Sequence, residues 1–190
     1  MTKRAGVAAA VVGSLAIAAV STFGDFVWAT QISEHRAVYG MTHGALLFLS
    51  IGLFLGSLYA RPFAGAVSGL VIGVLAAGTF YLLSPIAGYS VMFVVWIAVW
   101  VAVGVLHKRL SGNSASVVAR GLKPPRYSGL IRGFVAAVLS GATFYAISGI
   151  WRPFDPHGWD YAVHFGAWTI AYLPGFAVLL VGRTARSAST

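Results

Sequence analysis

The chain has 190 residues, 58% of them hydrophobic and 9% charged, with a mean hydropathy of +0.83 and a net charge of +9. A soluble domain of this length needs a charged surface, and so few ionisable residues do not supply one. The absence of cysteine excludes disulfides, thiolate metal sites and cysteine nucleophiles.

In chain order, Lys3 and Arg4 precede a first uncharged apolar stretch, Ala5–Gly24. A basic start, an apolar run and small residues also make up a secretory signal, but this run is long for one. A second stretch covers Ala37–Ala60 and is followed by Arg61. The third, Pro62–Leu106, is too long for one helix and breaks at the turn-rich "SPIAGYS", residues 84–90. After a basic segment come Gly133–Trp151 and Tyr161–Gly182. Pro174, inside the last, should kink it and free a carbonyl that a neighbour must satisfy.

About 20 apolar residues cross roughly 30 Å of hydrocarbon, so these stretches predict six transmembrane helices. An open sheet would leave unpaired backbone groups in lipid, and a barrel would need alternating strands rather than continuous apolar runs. The expected fold is an all-α integral membrane protein, a single membrane domain of three tandem helical hairpins. Hairpin 1 covers about 5–60, hairpin 2 about 62–106 and hairpin 3 about 129–183, with a basic loop over 107–128.

Once the turns are counted, every lysine and arginine except Arg36 and Arg152 falls on one side. The positive-inside rule makes that side cytoplasmic, and with it both termini. The net charge therefore reads as topology, the lipid bilayer is the expected partner, and nucleic acid is not. The 107–132 segment adds some attraction to anionic lipid.

Aligning 64–84 with 128–148 gives nine identities in 21 positions, including a shared "TFYxxS". "STFGDF" in the first hairpin is a weaker echo, with Thr22 and Phe23 in register. This predicts a triplicated hairpin about a pseudo-axis along the membrane normal. Gly65-x3-Gly69-x3-Gly73, Gly129-x3-Gly133 and Gly52-x3-Gly56 read as close-packing faces, with other membrane subunits as candidate partners. Trp96 and Trp100, one turn apart, read as filling a bundle face or meeting lipid. Trp28, Trp151 and Trp159 fall where an interfacial aromatic belt is expected.

The ionisable groups carry the functional signal. The acids Asp25, Glu34, Asp155 and Asp160 share the outer face with His35, His43, His157 and His164, and only His107 lies inside. The outer loop of hairpin 2 has no ionisable group. The other two outer loops repeat an order: Trp28, Glu34, His35, Tyr39, His43, then Trp151, Asp155, His157, Tyr161, His164. If hairpins 1 and 3 face each other, these groups converge at the outer mouth.

Imidazole and carboxylate together bind transition metals, and paired imidazoles bind haem. His35, His43, His157 and His164 are accordingly the candidate ligands of a divalent metal or haem. Asp25, Asp155, Asp160, Tyr81 and Tyr145 are the candidate ligand-binding residues. The alternative is local pairing, Glu34 with Arg36 and Arg152 with Asp155, with His43 and His164 as interfacial residues. His43, His164 and Asp25 stand out because each adjoins or lies inside apolar sequence, where an ionisable side chain is costly. Asp25 replaces Leu82 and Ala146 of the repeat, and needs Arg36, Arg152 or a histidine as partner unless the first helix ends at Gly24. Thr79, Tyr81, Ser84 and their counterparts Thr143, Tyr145, Ser148 place hydroxyls below the outer loops, to line a pocket or to bond back to their helices.

Walker, GxSxG, HExxH and dinucleotide-binding motifs are absent. "GNSAS" in the inner loop has no base beside it, and no carboxylate falls on the inner side, so any chemistry faces outward. The expected function is binding of a metal ion, cofactor or small polar solute at the outer face through hairpins 1 and 3, with transport as one use. The alternatives are a metal-dependent membrane enzyme acting on lipid or isoprenoid substrates, and a non-catalytic accessory subunit of a larger membrane complex.

Overall fold

The structure is a computed structural model and describes residues 2–31, 35–112, 128–147 and 158–181. Among the described residues there are six long helices: α1 (Lys3–Gln31), α2 (Arg36–Ser57), α3 (Pro62–Ala87), α4 (Val91–Gly112), α5 (Ser128–Ile147) and α6 (Trp159–Leu180). A 3-10 turn, Gly88–Ser90, joins α3 to α4, and there is no strand among the described residues. Each helix contains a segment long and apolar enough to cross a membrane, which makes the chain a multi-pass membrane protein. Phe63, Leu75, Ile86, Val94 and Ile131 are strongly exposed on the outside of the bundle, where side chains of this kind meet lipid.

Local sequence explains the ends. Pro62 opens α3 at its first position, where a missing N–H costs nothing. α3 runs on through Pro85 and stops at Gly88, whose φ of +65° suits glycine alone. Between α2 and α3 the Arg61 N–H donates to the Gly56 carbonyl (2.8 Å) and the Ala60 N–H to the Ser57 carbonyl (3.2 Å). These two bonds form a Schellman closure, with Ala60 at φ +56° in the left-handed position. α1 does not stop at Gly24 but continues to Gln31, so Asp25 sits on a helix.

Each helix packs on the next in sequence, and α6 returns to α1, closing a ring. The most extensive interfaces are α2–α3, α1–α6 and α4–α5. Glycine explains why these are so close. A methyl group at Gly52 would strike the Gly65 carbonyl, one at Gly69 the Phe48 carbonyl, and one at Gly104 the Gly129 carbonyl. The Gly-rich faces offered above to other subunits are thus buried inside the bundle, Gly52, Gly56, Gly65, Gly69 and Gly73 between α2 and α3, and Gly129 and Gly133 against α4. They are not surfaces for a partner.

Gly6 of α1 lies against the Leu180 carbonyl of α6, and Gly129 of α5 against Lys108 of α4. The starts of α1, α3 and α5 therefore gather at one end with the finishes of α2, α4 and α6. This is the basic end. Its interior is closed by Ile17, Leu55, Val103, Phe176 and Leu179, all almost fully buried. Tyr59 and His107 share a hydrogen bond (Oη to Nε2, 2.9 Å) there, and burial pushes the Tyr59 hydroxyl up, partly offset by the Arg132 charge. Arg132 donates to the Leu179 carbonyl at 3.3 Å.

α6 stays helical through Pro174. The ring of Pro174 removes the N–H that would have bonded Ile170, and the next carbonyl, that of Ala171, accepts from buried Ser140 of α5 at 2.5 Å.

Candidate functional site

At the end opposite the basic one, three helices bring three ionisable side chains together. α1 supplies Asp25, α2 supplies His43 and α6 supplies His164. On α6, His164 and Trp168 are four residues apart and share a face, and both reach the same carboxylate oxygen. Trp168 donates its indole N–H to Asp25 Oδ2 at 2.7 Å, and His164 Nε2 lies 2.9 Å from that oxygen. His43 Nε2 is 3.7 Å from the other oxygen, Oδ1, within ion-pair range but beyond a hydrogen bond. The two oxygens thus face different surroundings. Oδ2 carries both hydrogen bonds, while Oδ1 lies toward His43.

Small residues make room for this arrangement. A methyl group at Gly24 would collide with the His43 imidazole, and one at Gly40 with the Tyr81 hydroxyl. One turn further down α6, the buried Tyr172 hydroxyl pairs with Ser21 of α1 at 2.9 Å. His164, Trp168, Tyr172 and Phe176 then form an aromatic column at four-residue spacing. Trp168 and Tyr172 stack at 5.2 Å and 16°, and Trp96 of α4 lies nearly parallel to both.

Asp25 and His43 sit at one end of a cavity of about 320 Å³ enclosed by α2, α3, α4 and α6. That volume is at the small end of ligand pockets, about 300–1,000 Å³. Along α2 it runs from Gly40 to Ile51, about 17 Å at the helical rise. The walls are apolar and aromatic, with Leu47, Phe80, Trp96 and Trp168 prominent, and Tyr81 joins Asp25 and His43 at the polar end. The far end is shut by buried Ile51, Trp100 and Val103, whereas Asp25, His43 and Tyr81 are partly exposed. The cavity is closed at that far end, and Asp25, His43 and Tyr81 mark its polar end.

The predicted site residues separate accordingly. Asp25, His43 and Tyr81 line the cavity, and His164 stands behind Asp25, off the wall. Asp160 lies in the first turn of α6, one turn before His164, and is not on the cavity wall. Tyr145 is 70% exposed on the outside of the ring, beside Phe93, so its position in the repeat did not carry it into the pocket with Tyr81. His35 precedes α2 and is exposed, about two turns from His43. Asp155, His157, Glu34, Arg152, Ser148 and Trp151 lie outside the described residues. Thr79 and Thr143 bond back to Leu75 and Leu139 of their own helices.

Of the candidate metal or haem ligands, His35, His43 and His164 are described and His157 is not. Among the described residues no group of three or more His, Asp or Glu side chains is placed to hold a metal ion. Asp25 Oδ2 and His164 Nε2 are a hydrogen-bonded pair, and Trp168 donates to the same oxygen. Sequence reasoning also missed Trp168 and Tyr172. Their signal was the four-residue spacing from His164, which reads equally as a lipid-facing stripe. No protein-family model, no curated protein and no solved structure matches the chain.

Proposed function

We propose that this chain is a membrane-embedded binding protein that captures a small, mostly apolar molecule by its one polar group. The observation that carries this reading is the division of labour at Asp25. Its Oδ2 is held by Trp168 and His164, so its Oδ1 is presented with His43 at the mouth of a deep apolar pocket. A fixed polar pair above an apolar shaft is the pattern of an orienting ligand site. The polar solute expected from sequence gives way to an amphipathic one, because the walls below the rim offer hydrocarbon and rings. The closed lower end favours capture over a continuous pore.

In this reading the cavity opens at its polar end and that mouth faces outward, because Lys3, Arg4, Arg61, Lys108, Arg109 and Arg132 lie at the other end. Single cysteines test this. Ser90→Cys in intact cells should react with an impermeant maleimide and Arg61→Cys should not; the opposite pattern would invert the protein. The triplicated hairpin belongs to the same proposal, and finds support in the alternation of closer and looser helix interfaces around the ring.

Binding is tested on protein in nanodiscs, titrated by calorimetry with phenylbutylamine, phenylbutanol and phenylbutyrate against empty discs. At least one should bind saturably, and Leu47→Trp, which fills the shaft, should remove that binding. If none binds, the reading fails. A catalytic reading has less support: the His–Asp pair at hydrogen-bond distance, His164 with Asp25, has its imidazole off the cavity wall. An accessory role through the Gly-rich faces is disfavoured by their burial.

A further inference from the structure

We infer that the polar group held at the cavity mouth is a protonated amine, so that the ligand class is a lipophilic amine; this rests on the binding function proposed above. Three features of the mouth point this way.

The first is charge. Asp25 is the carboxylate on the cavity wall, and among the described residues its ion-pair partners are the imidazoles of His43 and His164 rather than a lysine or arginine. Carboxylates in apolar surroundings require compensation, and a ligand cation at Oδ1 provides it directly.

The second is the hydrogen-bond inventory. An ammonium has donors and no acceptor, whereas a carboxylate ligand has only acceptors. The mouth presents Asp25 Oδ1 and an imidazole nitrogen of His43 that accepts in one tautomer. With 3.7 Å between Oδ1 and His43 Nε2, one nitrogen bound between them can donate to both. A hydroxyl can bridge the pair only as a neutral donor to Asp25 and acceptor from His43, without the charge assistance of an ammonium. A carboxylate would meet Asp25 as a like charge.

The third is the ring chemistry. Phe80, Tyr81 and Trp96 border the cavity, and aromatic faces attract a cation as well as an apolar tail.

The titration series separates this inference from the reading beneath it. Phenylbutylamine should bind wild-type protein about tenfold or more tightly than phenylbutanol, the margin of a charge-assisted over a neutral hydrogen bond, and phenylbutyrate should bind weakest. Asp25→Asn should bring amine and alcohol together while leaving alcohol binding in place. Equal binding of amine and alcohol to wild type overturns the amine assignment and leaves the pocket standing. An amine preference that survives in Asp25→Asn also overturns it, since the cation would then be held elsewhere. The ranking is read on wild-type protein, so the outcome does not depend on how well the variant folds.

Discussion

Trp168 of α6 donates its indole N–H to Asp25 of α1 at 2.7 Å, beside the His164 imidazole at 2.9 Å from the same oxygen. The same bond holds Oδ2 in place and so leaves Oδ1 for the cavity. Trp168→Phe keeps the ring that stacks on Tyr172 but deletes the donor. Side-chain hydrogen bonds in membrane proteins contribute about 0.6–2 kcal/mol, so the apparent thermal midpoint should fall by about 1–8 °C. Amine affinity should fall with it, because the carboxylate is free to turn. An unchanged affinity would show that Asp25 is positioned by something else.

The two glycines beside the site give a sharper test. Gly24→Ala places a methyl group where the His43 imidazole lies, and Gly40→Ala one where the Tyr81 hydroxyl lies. Both substitutions raise intrinsic helix propensity, so neither should unravel its helix. Each should nonetheless weaken ligand binding by displacing a side chain from the mouth. Crosswise addition of His43→Ala to Gly24→Ala should relieve the crowding, which thermal stability of the double variant would report.

His43 and His107 separate function from stability. His107 is buried at the basic end and bonded to Tyr59, remote from the pocket. His107→Ala leaves the Tyr59 hydroxyl without its partner and opens a void, a loss of about 1–3 kcal/mol. Ligand affinity should not change. His43→Ala should do the reverse, weakening phenylbutylamine binding with a smaller effect on unfolding. A matched loss of affinity in both would mean that the pocket responds to global stability.

How much of this was legible in the sequence varies by residue. Six spans followed from run length alone, since lipid imposes a helix of known length on each. Asp25, His43 and His164 were visible because an ionisable group in apolar sequence is expensive, and a histidine was among the partners expected for Asp25. That α1 adjoins α6 was not legible, because it depends on ring closure between the two ends of the chain. Tyr81 and Tyr145 align when 64–84 is set against 128–148, yet Tyr81 lines the cavity and Tyr145 is exposed outside. The difference is on the neighbour: Gly40 leaves space for Tyr81, whereas Tyr145 lies beside Phe93 on the exposed side. Trp168 was hidden because an aromatic at four-residue spacing looks alike in a core, a pocket or a lipid face.

The α2–α3 interface carries a prediction about assembly of the ring. Gly52 and Gly65 present their backbones to each other so closely that neither tolerates a Cβ. Gly52→Val forces α2 and α3 apart and disturbs the wall that both contribute to the cavity. Overpacking costs about 1–3 kcal/mol, and here the obstacle is backbone, which cannot swing aside as a side chain does. The variant should express poorly or lose its thermal transition, whereas Gly78→Ala on the same helix as Gly65, where an added methyl meets nothing, should behave as wild type.

The turn that follows that interface predicts a gain. Ala60 closes α2 at φ +56°, a conformation that costs an L residue about 1–2 kcal/mol and glycine little. Ala60→Gly relieves the strain but adds freedom to the unfolded chain, which returns about 0.4–1 kcal/mol. The two bonds of the closure, Arg61 to Gly56 and Ala60 to Ser57, are backbone to backbone and survive the change. The net effect should be a stabilisation of about 0.5–1 kcal/mol, seen as a thermal midpoint higher by about 1–4 °C. Ligand affinity should stay as in wild type, since Ala60 sits at the basic end beyond the closed floor of the pocket. A fall in midpoint would mean that the left-handed residue is not what closes the helix.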